Sequence, residues 1–278
     1  MQTLHPTPYP PALILAAGRG ERMRPLTDST PKPLLPVHGK SLLQWHVDAL
    51  TRSGCTQLVI NTAWLGEQIP RHLELPPPPG SRAPLPPQRS PEIIYSHEGL
   101  DFGAALETLG GITRALPHLG DVFWVLAGDV FAPGFGFSPD AVQHFIASGK
   151  LAHLWLVPNP DHNPQGDFGL APAPQRPQEH RPHIQRTQLA LNLPKGAGHA
   201  LYTYSTIGLY RRALFEPPWC DIPVGNPRGI KASLAPLLRR AMDHQRISAE
   251  LYLGAWADVG TPQRLAQLNQ ATGNEGLI

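Results

Sequence analysis

Cysteine is almost missing from this chain of 278 residues; only Cys55 and Cys220 occur, far apart. Two distant thiols build neither a disulfide framework nor a Cys-x-x-Cys metal clip. Their scarcity fits a reducing cytoplasm, where the protein is expected to reside. Charge of one sign is missing too. Lys and Arg number 23 against 21 Asp and Glu, a formal net charge of +2. That balance excludes the dense basic face of a nucleic-acid-binding domain but leaves room for an anionic small substrate. There is no long hydrophobic run. The first apolar stretch, Ala12 to Ala17, is far too short to cross a bilayer, and no basic segment precedes it to make a secretion signal. Neither a nucleic acid nor a membrane is therefore expected as a partner. The 13 histidines are scattered, without H-E-x-x-H spacing, and no Ser/His/Asp or Cys/His nucleophile constellation stands out. No internal repeat is visible, and no hexapeptide β-helix repeat follows the core.

What is present begins with proline. Its 34 residues are about twice the usual share and sit in clusters, which reads as rigid loops rather than general disorder. Residues 1–11 carry Pro6, Pro8, Pro10 and Pro11 and read as an unstructured leader. The stretch from Pro76 to Pro91 has proline at eight positions, too many missing backbone donors for a helix or strand. Between these clusters the pattern alternates. Leu13 to Leu15 is a buried strand running into Gly18. Ser41 and Gln44 resemble a capping box ahead of Leu42, Leu43, Val47 and Leu50 at helical spacing. Leu58 to Ile60 is a second strand, residues 65–73 a helix, Glu92 to Ser96 a third strand, and Leu106 to Leu116 a helix. Val122 to Leu126 is a fourth strand, ending at Gly128-Asp129. A helix over Asp140 to Ser148 and a strand over Leu151 to Val157 follow. Strands alternating with helices predict a parallel sheet with crossover helices. Pro158 to Pro194 is polar and rich in proline and histidine, and reads as short antiparallel strands or a mobile lid. Order returns with a strand at Thr206 to Tyr210 and an amphipathic helix over Ala232 to His244. A strand at Ser248 to Leu253 and a helix opening at Thr261-Pro262 close the chain.

The densest chemistry lies in Leu15-Ala16-Ala17-Gly18-Arg19-Gly20-Glu21-Arg22-Met23-Arg24-Pro25-Leu26-Thr27, followed by Pro31-Lys32-Pro33-Leu34. A buried strand ends in a Gly-x-Gly turn, where backbone N–H groups can approach a polyphosphate, and two arginines and a lysine follow. The cluster stands at the carboxyl end of a strand, where open α/β sheets bind ligands. It is not a Walker loop, since no Gly-Lys-Ser/Thr closes it, and the third glycine of a dinucleotide fingerprint is missing. A tight turn carrying solvated basic residues is the plainer alternative. Asp129, after the fourth strand, is either a hard oxygen ligand for a cation or an ordinary turn aspartate. Asp258, in Trp256-Ala257-Asp258-Val259-Gly260-Thr261, reads on its own as an ordinary loop acid ahead of a helix.

The full N-terminal string resembles the signature of the sugar nucleotidyltransferases, or nucleotide-sugar pyrophosphorylases. Asn61-Thr62-Ala63-Trp64-Leu65-Gly66-Glu67-Gln68-Ile69 is similar to the N-acetylmuramate-1-phosphate uridylyltransferases of bacterial cell-wall recycling. So are Tyr95 to Gly99, Leu106 to Thr108, Gly166 to Phe168 and Leu234 to Arg239. The resemblance implies a three-layer, Rossmann-like α/β fold with a mostly parallel central sheet and a small antiparallel sugar-binding segment. It implies one domain over 12–272, with a nucleotide-binding half at 12–130, a sugar-binding half at 131–272 and a tail at 273–278. The implied reaction is Mg²⁺-dependent transfer of a nucleotidyl group from a nucleoside triphosphate to a sugar-1-phosphate. UTP and N-acetylmuramate 1-phosphate are the first pair, by a monomer or small homo-oligomer. Glucose-1-phosphate thymidylyltransferase and mannose-1-phosphate guanylyltransferase are the enzymatic rivals, and a non-catalytic nucleotide-binding regulator is the rival of another class.

Roles carried over by resemblance place Leu15, Ala16, Ala17, Gly18, Arg19 and Gly20 around the triphosphate. Arg22 falls on the departing pyrophosphate, and Lys32 falls between the α-phosphate and the sugar phosphate. Glu98 or Glu107, with Gly110, fall on the base, and Asp129 and Asp258 on Mg²⁺. Gly166, Asp167, Phe168, Ser205, Thr206 and Lys231 fall on the sugar. Arg24 is as readily a solvated charge, Glu107 a first-turn helix acid, and Lys231 a surface lysine. Two departures bear on base choice. The family's Glu-Thr-Gly-Gly-Gly reads Glu107-Thr108-Leu109-Gly110-Gly111, and Ala127 replaces the usual Asn before Gly-Asp. Leu100 to Ala105 reads as a small insertion.

Overall fold

The computed structural model describes residues 9–74, 90–172, 187–196 and 200–270. Most of the leader, nearly all of the 76–91 proline cluster, part of 158–194 and the 273–278 tail lie outside the described residues. In chain order the elements are β1 (Ala12–Leu15), β2 (Pro36–Val37), β3 (Lys40–Ser41), α1 (Leu42–Arg52), β4 (Gln57–Thr62), α2 (Gln68–Glu74) and β5 (Glu92–His97). They continue with α3 (Glu98–Phe102), α4 (Glu107–Ala115), β6 (Val122–Ala127), β7 (Val130–Phe131), α5 (Pro139–Ser148), β8 (Ala152–Val157), β9 (Phe168–Leu170) and β10 (Gln188–Leu191). The chain finishes with β11 (Leu201–Arg211), α6 (Ala235–Asp243), β12 (Ile247–Leu251), β13 (Ala257–Asp258) and α7 (Pro262–Gln270).

Nine strands form one sheet in the order β5-β4-β1-β6-β11-β8-β12-β10-β9. All except β11 and β10 run in one direction, so the sheet is mostly parallel with a few antiparallel strands. Both faces are covered, and alternate residues of each strand point to opposite layers. Leu13 and Val125 pack with Ile112 of α4 and Leu238 of α6 on one face. Ile14 and Trp124 pack with Leu43 of α1 and Phe145 of α5 on the other. That is why the inner strands read as unbroken apolar runs. A third, smaller cluster joins Met23, Val37, Leu42, Phe131, Val259 and Leu265. It pins the turn after β1, the β7–β13 ladder and α7 to one another. Cys55 and Cys220 are both buried free thiols.

Several elements depart from the sequence reading. The helix expected at 65–73 starts at Gln68, because Leu65 takes a φ of 50° and Gly66 folds tightly back on Thr62. The 158–194 stretch contributes β9 and β10, an antiparallel pair extending the sheet. Leu100 to Ala105, read as a small insertion, holds the end of α3 and its Gly103 cap, with Phe102 packed under Gly229 and Arg114 paired with Asp101 at 2.6 Å. Only half of the capping box forms. The Ser41 hydroxyl accepts from the Gln44 N–H at 3.2 Å, while the Gln44 amide turns to Asp48.

Two histidines sit within this core. His153 on β8 has Nδ1 2.9 Å from the Ser248 hydroxyl and its ring edge-on to Trp155. Its Nε2 lies 3.8 Å from Glu250, yet burial outweighs that attraction and holds its pKa at about 3. Burial likewise lowers His46 to about 4. Both rings are neutral in the fold, but an unfolded chain protonates them near the ordinary histidine value of about 6.5. Stability is therefore fully present above that value and is lost as pH falls through it toward the folded values. The expected slope is roughly 1.4 kcal/mol per pH unit for each ring. Urea midpoints measured from about pH 7 to about pH 5 should fall accordingly, and His153→Gln should flatten the fall. An unchanged slope in that variant would remove His153 as a source.

Candidate active site

The carboxyl ends of β1, β4 and β6 meet along one edge of the parallel half. Two adjoining clefts of about 230 and 270 Å³ open there, and Gly18, Lys32 and Asp129 border both. The first is also lined by Leu15, Ala16, Ala17, Asn61, Glu98, Glu107, Thr108 and Ala127. The second is lined by Gly20, Glu21, Arg22 and Gly260. Of the expected nucleotide residues, Leu15, Ala16, Ala17, Gly18, Gly20, Glu98 and Glu107 converge here while Arg19 and Gly110 line neither cleft, and Lys32 and Asp129 stand at the junction.

Local bonds fix this arrangement. β1 leaves the sheet with its Leu15 carbonyl accepting from Gly128 N–H and its Ala16 N–H donating to Asn61 Oδ1 at 2.6 Å. Gly20 has a φ of 67°, which a side chain resists, and a Cβ there would press on Lys32 and Thr27. The Lys32 stem thus lies under the turn. Gly18 differs: no protein atom lies within 4 Å of where its Cβ would stand. Nothing in the protein fills the space above that backbone. Lys32 is 8% exposed, and its ammonium pairs with the half-exposed Asp129. Arg22 is exposed at the second cleft. Arg24 points elsewhere, paired with Asp28 at 2.7 Å on the surface, as the solvated alternative had it. Arg19 lies over the Trp64 ring and pairs with Glu21.

Asp258 lines neither cleft but is brought near Asp129 through the two-stranded β7–β13 ladder, in which it faces Val130 and Val259 N–H donates to the Asp129 carbonyl. Its Oδ2 accepts from Arg264 at 3.0 Å and lies 3.2 Å from His162. Among the described residues no group of three or more His, Cys, Asp or Glu is arranged to hold a metal ion. Asp129, just ahead of β7, and Asp258, on β13, offer the hard oxygen donors that Mg²⁺ takes beside substrate phosphate and water, and each is paired with a cation, Lys32 and Arg264 respectively.

Glu98 and Glu107 part company. Glu98 is fully buried; its Oε1 accepts from Asn61 and its Oε2 from Leu106 N–H, each at 2.7 Å. Burial raises its pKa. It lines the first cleft, and with both carboxylate oxygens engaged it also acts as a strut that ties β4, β5 and the start of α4 together. Glu107 is exposed at the cleft with a φ of 60°, a conformation non-glycine residues avoid. Gly110 is corrected: the Ile230 carbonyl sits where its Cβ would be, so the 230–232 segment covers it. That contact requires glycine for packing. Leu109, in place of a family glycine, is buried in the core.

The expected sugar residues line neither cleft. Asp167 accepts from Tyr204 N–H and Asn163, and faces Lys195 at 3.9 Å. Gly166, at φ 64°, lets the chain pass against Leu201. Phe168 is 2% exposed under Arg239, and Ser205 is fully buried with its hydroxyl on the Trp155 carbonyl. Both are corrected from sugar contacts to packing residues. Thr206, at φ 64°, marks the irregularity in β11, and Lys231 is exposed on the segment that covers Gly110. The sequence reading missed Asn61, Trp64, Thr27, His162 and Arg264 as site residues. Thr27 closes the Leu15–Thr27 string and Asn61 and Trp64 lie in the Asn61–Ile69 string, whereas nothing in the sequence pointed to His162 or Arg264.

The family follows from comparison. The nucleotidyl transferase model matches residues 11–275; the chain belongs to that family and is a sugar-1-phosphate nucleotidyltransferase. It is 42% identical over 268 residues to N-acetylmuramate alpha-1-phosphate uridylyltransferase of Neisseria meningitidis serogroup B, covering 94% of this chain and 98% of that one. A Caulobacter vibrioides protein of the same name is 36% identical over 133 residues, 47% of this chain and 50% of the relative. A solved structure described as a putative glucose-1-phosphate thymidylyltransferase from Bacillus anthracis superposes with a TM-score of 0.67 at 19% identity. It covers 95% of this chain and 96% of that one, a likeness of fold. No helix of the described residues is long and apolar enough to cross a membrane.

Proposed function

We propose that this enzyme transfers a uridylyl group from UTP to N-acetylmuramate 1-phosphate, releasing pyrophosphate, with Mg²⁺ as cofactor. The observation that carries the reading is the Lys32–Asp129 pair at the junction of two clefts, one lined by Glu107 and one by Arg22. The first suits the nucleoside and the second a run of phosphates. Identity to the Neisseria relative along nearly its whole length supports the choice of base and sugar.

The chemistry asks little of a general base. A phosphate monoester has its second pKa near ~6, so the sugar phosphate is largely dianionic at neutral pH. One of its oxygens attacks the α-phosphorus, and the bond from that phosphorus to the bridging oxygen breaks. Pyrophosphate leaves with the electron pair. The difficulty is bringing two polyanions together, so positioning and charge neutralisation supply the catalysis. Backbone N–H groups from Ala17 to Gly20 hold the triphosphate. Lys32 faces the α-phosphate and the incoming phosphate, and Arg22 holds the departing pyrophosphate. Asp129 and Asp258 would hold Mg²⁺, which supplies Lewis-acid stabilisation of phosphoryl oxygens. Glu107 accepts from the uracil N–H, and the loop through Asp167 borders the sugar side.

A pyrophosphate-release screen of four nucleoside triphosphates against several sugar-1-phosphates tests this. Turnover should require both substrates and Mg²⁺ and be fastest for UTP with N-acetylmuramate 1-phosphate. Preference for dTTP with glucose 1-phosphate, or GTP with mannose 1-phosphate, would overturn the substrate pair. No turnover with any pair would favour a nucleotide-binding regulator.

A further inference from the structure

The turn between β4 and α2 lies against the outside of the phosphate loop. Trp64 Nε1 donates to the Thr27 carbonyl at 2.8 Å, and four residues on, Gln68 donates to the Ser29 carbonyl at 3.0 Å. Thr27 is 2% exposed and passes the link on, its hydroxyl donating to the Gly20 carbonyl at 2.9 Å. One face of the same indole carries Arg19, with the guanidinium carbon 3.7 Å from the ring centroid. One side chain thus touches the loop directly at Arg19 and indirectly at Gly20, on either side of the left-handed turn.

The turn that presents Trp64 is itself constrained. Leu65 has a φ of 50°, which a bulky residue adopts only where its surroundings impose it. Gly66 packs against Thr62, with its Cβ position 2.9 Å from that residue's Cβ. Gly99 packs against Ala63, its Cβ position 2.7 Å from the Ala63 carbonyl. Side chains at either glycine would push the turn away from the loop. Trp64 is only partly buried and belongs to none of the three hydrophobic clusters. Core packing therefore does not account for its placement, whereas the two loop contacts do.

We infer that Trp64 is a positioning residue for nucleoside triphosphate binding, holding the Gly18–Gly20 backbone in its phosphate-ready form through Thr27 and Arg19. The inference rests on the reading that this loop holds the triphosphate. Trp64 touches neither substrate nor reacting atoms. Its contribution belongs to the cost of ordering the loop before phosphates arrive, which appears in affinity rather than in the chemical step.

The test is UTP binding by calorimetry alongside steady-state kinetics, with thermal midpoints as a check on folding. Trp64→Ala removes both contacts and should weaken UTP binding and raise KM by roughly 10–100-fold. Its kcat at saturation should stay within about threefold of wild type, as for a loss of uniform binding. Trp64→Phe keeps a ring under Arg19 but loses the N–H donor, and should weaken binding by only about 3–10-fold. Thr27→Val keeps the shape and removes the hydroxyl on Gly20. It should resemble Trp64→Phe, and it tests the relay even if Trp64→Ala folds poorly. Wild-type UTP affinity in Trp64→Ala, or a fall in kcat with KM unchanged, overturns the inference. Wild-type protein that binds no nucleoside triphosphate at all would instead overturn the reading of the loop.

Discussion

Asp129→Ala is expected to reduce turnover by about 10²-fold or more at saturating Mg²⁺, the scale for losing one preorganised electrostatic contact at a reacting phosphate. The side chain is half-exposed at the mouth of both clefts and belongs to no hydrophobic cluster, so its loss leaves the core packing intact. One side effect needs control. Lys32 is 8% exposed and pairs with Asp129, and an unpaired buried ammonium is costly. Asp129→Asn keeps an oxygen for Lys32 to donate to while removing the charge that would hold Mg²⁺. It should therefore fold nearly as well as wild type and still be severely impaired. Asp258→Ala should lose activity similarly while releasing Arg264, which donates to both its carboxylate and its carbonyl. Rates close to wild type in the Asp129 variants, or in Asp258→Ala, would take that residue out of the metal site. If both acids ligate one ion, Mn²⁺ binding in the presence of UTP should weaken in each variant. A loss of activity with unchanged Mn²⁺ affinity would argue for a role in positioning Lys32 alone.

The alternation of buried strands and amphipathic helices from Leu13 to Phe145 was legible because each strand is covered on both faces and reads as an apolar run. The second half was less so. β9 and β10 are short and lie at the sheet edge, their partners are distant in sequence, and their pattern is broken by proline. β7 and β13 have two residues each and exist because they pair with one another. Local periodicity carries no trace of such a ladder, although it brings Asp129 beside Asp258. The Gly18 to Lys32 string by its own chemistry left a phosphate loop and a tight basic turn both open, and only resemblance chose between them. Glu98 looked like a binding acid for the same reason. Its burial depends on Asn61 and the Leu106 N–H, contacts no local pattern encodes. Ser205 and Phe168 misled similarly: both turn inward, Ser205 at the irregularity in β11 and Phe168 beneath Arg239. Resemblance located the neighbourhood, and packing decided which side chains face the cleft.

Lys32→Ala is expected to lower kcat by roughly 10²–10³ while UTP binding weakens far less. The lysine enters the site from a turn at Lys32–Leu34, its stem under Gly20 and its ammonium on Asp129 between the two clefts. On the proposed reading, a cation held there, largely shielded from water, would meet the sugar phosphate and the α-phosphate as charge redistributes between them. Ground-state binding of the triphosphate still has the backbone of Ala17 to Gly20 and Arg22, so calorimetry should record only a modest loss. Lys32→Arg should recover little, because a planar fork cannot take the place of a compact ammonium under Gly20. A cation acting only as part of a basic loop predicts another pattern. Both variants would then change kcat by only a few-fold, and raising the ionic strength would erase the difference, since exposed charges are screened over about 10 Å at moderate salt. A partly buried pair is screened much less, so the defect of Lys32→Ala should persist in high salt. An unchanged kcat for Lys32→Ala, measured with both substrates saturating and the protein shown to be folded, would remove Lys32 from the transition state. The charge neutralisation would then fall to Arg22 and to the ion held by Asp129 and Asp258.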